Sequence, residues 1–209
     1  MKLIVFGASG GTGQFLVTQA LKQGHEVTAF VRNPQKLKQK GSKLKVIQGD
    51  VLDTQTLEKA ISGHDAVLCS IGLSKIFDKS NLRANGTKNI IEAMRKTKVK
   101  RLICQSTFGA GDSYNMLPFS YKYLVFPLLL RRVLADHEVQ EKYVRESKLD
   151  WTIVRPGSLT DDVETGIYFH GFTAGTKVTA KISRADAANF MLKQLNDARY
   201  MLKSPSLSY

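Results

Sequence analysis

The stretch FGASGGTGQF, residues 6–15, places Gly7, Gly10 and Gly13 at three-residue intervals directly after the apolar run LIVF. Glycines so spaced between a strand and a helix suit the approach of a pyrophosphate to the backbone. Gly7 permits a tight turn, Gly10 removes the Cβ that would block the phosphate, and Gly13 lets the helix pack close to the sheet. The amides that open the helix, at Gly11 and Thr12, then face the anion with the helix dipole behind them. A tight structural turn is the competing reading.

A second signal lies at the end of the next apolar run, AFVRNPQK, about 20 residues after the loop, where NAD enzymes place an acid for the ribose 2′-hydroxyl. Arg32 stands there, with Lys36 one helical turn further on. Two cations suit the 2′-phosphate of NADP, so NADP(H) is the expected cofactor; a plain surface arginine is the alternative. The loop lacks the Gly-Lys-Ser/Thr ending of a nucleoside triphosphatase. Histidines 25, 64, 137 and 170 have no ligand spacing, so no metal is expected. No tyrosine has a lysine four residues later, since Tyr143 is followed by Ser147 and Tyr121 by Val125. That removes the usual acid of alcohol dehydrogenation, whereas hydride transfer to a flavin asks less of the protein.

These residues need a scaffold, and the apolar pattern supplies one. Strand-like runs at 2–6, 26–31, 45–49, 66–71, 101–106 and 151–154 alternate with helical patterns at about 12–23, 54–62, 82–97 and a helix ending at 138–147. Six strands joined mostly by crossover helices predict an α/β fold, a single Rossmann-type domain over residues 1–209 with a doubly wound, mostly parallel sheet. GIYFHGF and KVTAKI predict further extended pieces, and SRADAANFMLKQL (183–195) a helix capped by Ser183. Strand carboxyl ends are where such sheets bind ligands. Ser106 is therefore the first candidate for a site hydroxyl, with a turn cap as its alternative. His137, near the start of a helix, is a weaker candidate proton donor, and Arg155 suits either a phosphate or a structural ion pair.

Charge is unevenly spread: residues 1–104 hold 18 of the 31 Lys and Arg but 7 of the 18 Asp and Glu. An anionic partner fits that half, yet the lysine runs lack aromatics to stack on bases, so no nucleic acid is expected. Cys69 and Cys104 are too few for a disulfide framework. The apolar stretch before Gly7 is far shorter than the ~7–15 residues of a signal-peptide core, and a cytosolic monomer is expected. The segment LPFSYKYLVFPLLLRRV either lies on a membrane surface or roofs a substrate pocket, with Phe119, Tyr123 and Phe126 against a planar ring.

In order along the chain, FGASGGTG, VRNP, GDVLD (49–53), CQSTFG (104–109), ADHEVQEKYVRESKLDWTIVRPG (135–157) and ISRADAANFML (182–192) resemble the NmrA-like atypical branch of the short-chain dehydrogenase/reductases. The nearest likeness is to its biliverdin IXβ reductase and flavin reductase family, and it covers nearly the whole chain. The resemblance implies a reductase that passes hydride from NADPH to a flavin (FMN or FAD) or a related planar acceptor such as biliverdin. By motif, Ser9, Arg32 and Lys36 would hold the adenosine phosphate, Asp50 and Val51 would line the adenine, and Ser70 and Gly72 would pass under the ribose and pyrophosphate. Ser106, Phe108 and the RPGS segment (Arg155, Pro156, Ser158) would flank nicotinamide and substrate, with residues of about 107–135 and 156–182 forming the substrate side. Ser158 stands where the mammalian-type pattern has histidine, and residues 110–132 are longer than their counterpart. The same branch contains NADP-binding regulators without turnover, which makes a redox sensor the alternative.

Overall fold

The computed structural model describes residues 1–72, 81–117, 119 and 121–209, with the side chains of 125–129 outside that description. β1 (Lys2–Phe6) leads through the glycine loop into α1 (Gly11–Lys22), followed by β2 (Glu26–Val31) and β3 (Leu44–Gln48). Next come α2 (Thr54–Ile61), β4 (Ala66–Cys69), α3 (Leu82–Thr97), β5 (Arg101–Gln105), α4 (Arg131–Arg145) and β6 (Asp150–Pro156). Short strands β7 (Ser158–Thr160), β8 (Phe169–His170) and β9 (Lys181–Ser183), helix α5 (Arg184–Lys193) and β10 (Ser206–Ser208) complete the chain.

The main sheet runs β3-β2-β1-β4-β5-β6-β10-β8, parallel from β3 through β10, with β8 antiparallel at the far edge. This is the expected doubly wound sheet, two strands wider than six. β8 falls within GIYFHGF, one of the further extended pieces expected, whereas β10 escaped the sequence pattern because a strand of three residues carries no apolar run. A separate pair, β7 with β9, lies beyond the carboxyl end of β6.

Side chains alternate faces along a strand, and β1 shows it. Ile4 and Phe6 enter a core with α2 and α3, while Leu3 and Val5 enter another with α1 and α5. Helices cover both faces, which is why the central strands read as continuous apolar runs. The start of α3 has no side-chain cap of its own. Asp136 of α4 supplies one, accepting from the Arg83 and Ala84 amides at 3.3 and 3.0 Å, an acid at the positive end of a helix. Cys69 and Cys104 face each other in the β4–β5 register, free and buried. Among the described residues no helix is long and apolar enough to cross a membrane, and no side-chain cluster could hold a metal.

Candidate functional site

Strand order reverses between β1 and β4, whose connections leave on opposite sides of the sheet, so a crevice opens beyond their carboxyl ends. The glycine loop leaves β1 at that point. Gly7 has φ +77°, and a Cβ there would stand 2.3 Å from the Ser70 carbonyl oxygen after β4. Its own carbonyl accepts from the Gly10 amide at 2.9 Å and closes the turn. A Cβ on Gly13 would fall 2.0 Å from that same Gly7 oxygen, so only glycine lets α1 seat on the turn. At Gly10 the nearest atom to a Cβ would be the Gly7 oxygen, 3.1 Å away. The backbone there is open on its outer side. α1 begins with no capping side chain and no acid in its first turn, and its first internal bond runs from the Gln14 amide to the Gly10 carbonyl. Thr12 is buried, while Ser9 is half-buried and its carbonyl accepts from Gln14 Nε2.

Around this turn the adenosine-side candidates arrive from neighbouring strand ends. Arg32 directly follows β2 and, like Lys36, is exposed. Asn33 caps the short 3-10 turn Pro34–Lys36 by accepting from the Gln35 amide, which fixes the spacing between the two cations. Asp50 follows β3 and accepts from the Leu52 amide at 2.9 Å. Val51 is buried against Gly86, and its carbonyl accepts from Asn89 of α3. After β4, Ser70 donates its hydroxyl to Gln105 Oε1 at 2.8 Å, and Gly72 has open space around it.

On the other side of the crevice, Ser106 follows β5, its amide bonded to the Val154 carbonyl at 2.7 Å. Its hydroxyl is buried, with the residue only 3% exposed, and has no hydrogen-bond partner among the described residues. Phe108 is buried edge-on to Phe172, ring centroids 5.5 Å apart, with its amide on the Pro156 carbonyl. Exposed Ser158 lies 3.5 Å from the Tyr121 hydroxyl. Tyr121 was absent from the sequence candidates, because no local pattern joins residues 37 positions apart.

Three expectations are corrected. Phe119 and Tyr123 do not roof a closed pocket: their rings lean against each other, 4.7 Å between centroids and tilted by 42°, and the residues are 76% and 57% exposed. The side chain of Phe126 lies outside the described residues. His137 is buried in the middle of α4, where its Nδ1 meets Gln140 Oε1 at 3.0 Å. Burial first and then the Arg83 charge push its pKa down to about 3, against the Gln140 hydrogen bond, so it is neutral at neutral pH. Arg155, expected at the cofactor, is fully buried and spends its guanidinium on carboxylates. It donates to Glu141 at 2.9 and 2.7 Å and to Asp112 at 2.6 Å. Burial opposes this charge, but the two acids prevail and its pKa is raised. A hollow of ≈ 360 Å³ beside this ion cluster, lined by Gly111, Glu138, Glu141, Lys142, Arg145 and Glu146, includes no residue of the glycine loop.

Sheet order, switch-point crevice and glycine turn together define a dinucleotide-binding domain of the Rossmann class. Residues 7–198 match the family model described as NAD(P)H-binding. The chain belongs to that NAD(P)H-binding family. It is 31% identical over 173 residues to an uncharacterised chloroplast protein of Arabidopsis thaliana, covering 79% of this chain and 61% of that one. It is 28% identical over 233 residues to the chloroplast protein TIC 62 of Pisum sativum, covering 99% of this chain and 41% of that one. The chain thus spans about three fifths and two fifths of these relatives' lengths. Among solved structures, the oxidoreductase ylbE of Lactococcus lactis superposes with TM-score 0.83 at 22% identity, covering 100% of this chain and 90% of that one. A short-chain dehydrogenase/reductase of Veillonella parvula in complex with NADP gives 0.82 at 19%, covering 100% and 94%. ChuY of Escherichia coli O157:H7, described as an anaerobilin reductase, gives 0.80 at 22%, covering 100% and 97%. The fold is that of NAD(P)H-binding oxidoreductases.

Proposed function

We propose that the protein is an NADP(H)-dependent reductase that passes hydride to a planar acceptor, a flavin or a linear tetrapyrrole. The observation that carries this reading is the Ser106 hydroxyl: buried, unpartnered among the described residues, and one strand along the sheet from the glycine-loop crevice. A buried hydroxyl without a partner costs about 1–3 kcal/mol, a cost that a bound ligand atom offsets.

The residues present fit a dinucleotide. Glycine-loop and α1 amides would take the diphosphate, Arg32 and Lys36 the 2′-phosphate, and Asp50 and Val51 the adenine edge. Ser70 and Gly72 would underlie the ribose. When bound, the dihydronicotinamide supplies a hydride, two electrons and one proton, to the acceptor. Ser106 would orient nicotinamide or acceptor through its free hydroxyl, and Phe108 with Pro156 would exclude water from that end. Ser158 and Tyr121 would contact the acceptor's polar edge, on the substrate side formed by about 107–135 and 156–182. A second proton comes from water through the open side of the crevice. The ChuY likeness in fold supports an acceptor of tetrapyrrole shape as one member of the class.

The test is the decay of NADPH absorbance with purified protein and FMN, with biliverdin, and with neither. Saturable oxidation that needs both protein and acceptor is the expected result. Tight NADPH binding with no turnover on any acceptor would replace the reductase by a redox sensor.

A further inference from the structure

Four glycines stand in the loop, and the three-residue spacing accounts for three. Gly11, the fourth, is the first residue of α1. At the position its Cβ would take, the structure has the side chain of Arg184, with Nε at 2.5 Å and Cδ at 2.6 Å. An arginine 173 residues away in sequence therefore lies over the opening of α1, close against the space a side chain at 11 would take. The placement is built into the fold, since α5, which Arg184 begins, shares a core with α1.

Electrostatics give that arginine a purpose. The positive end of α1 carries neither an acid nor a capping side chain. Arg184 is itself the first residue of α5, whose own positive end is met by the Ser183 cap and by Asp186 in the first turn. The end of α1 has no such compensation, and a cation lying over it calls for an anion. Its partner is Asp161, 2.7 Å from the guanidinium, with a side chain 87% exposed. So exposed a pair contributes about 0–1 kcal/mol, and a phosphate, which takes a guanidinium through paired charge-assisted hydrogen bonds, is the stronger partner.

We propose that Arg184 is a diphosphate ligand of the dinucleotide site, held by Asp161 until the anion displaces that carboxylate. This rests on the reading of the glycine loop as a dinucleotide site and adds a residue from the far end of the chain. Its signature differs from that of Arg32: Arg184 acts on the diphosphate that NADP and NAD share, Arg32 on the 2′-phosphate that only NADP carries.

The experiment measures, by calorimetry, the affinities of NADP⁺, NAD⁺ and adenosine 2′-phosphate, which lacks the diphosphate. The proteins are wild type, Arg184→Gln, Asp161→Asn and the double variant. Arg184→Gln is expected to weaken both dinucleotides about tenfold to hundredfold and leave adenosine 2′-phosphate unchanged. Asp161→Asn, at an exposed side chain where folding is not at stake, is expected to tighten both dinucleotides by up to about fivefold. That gain should vanish when Arg184 is also replaced. Unchanged dinucleotide affinity in Arg184→Gln, an equal loss for adenosine 2′-phosphate, or an Asp161→Asn gain that survives the loss of Arg184 would overturn the proposal. A wild-type protein that binds neither dinucleotide would overturn the glycine-loop reading itself, a different and recognisable failure.

Discussion

Two alanine substitutions three residues apart in the glycine loop should fail in opposite ways. At Gly13 a Cβ would lie 2.0 Å from the Gly7 oxygen, 2.7 Å from the Gly7 carbonyl carbon and 2.9 Å from the Ala8 Cα. All three are main-chain atoms, so no side chain can turn aside, and α1 must retreat by more than an ångström from ordinary contact. Overpacking costs about 1–3 kcal/mol, and unyielding backbone puts this site at the upper end. Alanine regains about 1 kcal/mol of helix propensity over glycine. The net loss is about 2 kcal/mol, or roughly 4–8 °C in melting midpoint for a chain of this size. At Gly10 the backbone has φ −77° and ψ 170°, and the only close atom would be 3.1 Å away. Gly10→Ala should therefore cost below about 1 kcal/mol, the scale of an N-cap change. Its methyl group, however, occupies the face where phosphate meets the backbone, so NADPH affinity should fall about tenfold or more, the loss of one charge-assisted bond. Thermal melts without cofactor, paired with NADPH titration, read both. A Gly13→Ala protein that melts like wild type, or a Gly10→Ala protein that binds NADPH normally, would refute the reasoning.

Further substitutions probe the remaining parts. Arg32→Asp should raise the KM for NADPH far more than that for NADH, by about tenfold to hundredfold; an unchanged ratio removes Arg32 from the 2′-phosphate. Glu141→Gln breaks a buried pair with Arg155, both side chains at most 3% exposed, and should cost about 3–5 kcal/mol. Asp112→Asn touches the same guanidinium from an 84% exposed side chain and should cost under about 1 kcal/mol; chemical denaturation showing equal losses would deny the distinction. His137 has its folded pKa depressed to about 3 from 6.5, so between those values the unfolded chain binds the proton. Its contribution to stability is full above about pH 6.5 and is lost as pH falls, by up to about 1.4 kcal/mol per unit. Urea unfolding of His137→Gln at pH 7.5, 6 and 5 should show a shallower loss than wild type, and parallel slopes would contradict this.

The glycine loop was legible because its task is local: a strand, a turn and a helix in a dozen consecutive residues. β2 at 26–31 and α3 at 82–97 follow the sequence pattern to the residue, since buried parallel strands and amphipathic helices write their periods into the chain. Where partners lie far apart, the pattern is silent. Arg155 read equally well as a phosphate ligand or as half of an ion pair, because its partner Glu141 sits on α4 and Asp112 in the 3-10 turn Gly111–Met116. Arg184 looked like one more charge at a helix start until the fold laid it over Gly11. The segment 121–130 has no clean apolar period because its backbone is π-helical, a wider turn than the 3.6-residue pattern describes.

The two sides of the crevice are held by different kinds of contact, and that difference bears on how substrates are chosen. Carbonyls, amides and missing Cβ atoms fix the cofactor side: Gly7 on Ser70, Gly13 on Gly7, the Gly10 amide on the Gly7 carbonyl. Such contacts do not depend on which side chains surround them, provided the glycines stay. On the side proposed for the acceptor, shape comes from side chains, with Arg155 tying the 111–116 turn to α4, Phe108 on Phe172, and Tyr121 beside Ser158. Each of these can change without disturbing β1 or α1. A fold divided in this way can keep one cofactor while its acceptor varies. The hydroxyl of Ser106, unpartnered among the described residues, stands on the border, the residue anchored by its amide to β6. Its position is therefore set by the sheet and its partner by whatever the loops admit, which makes it the fixed point against which different acceptors would be aligned.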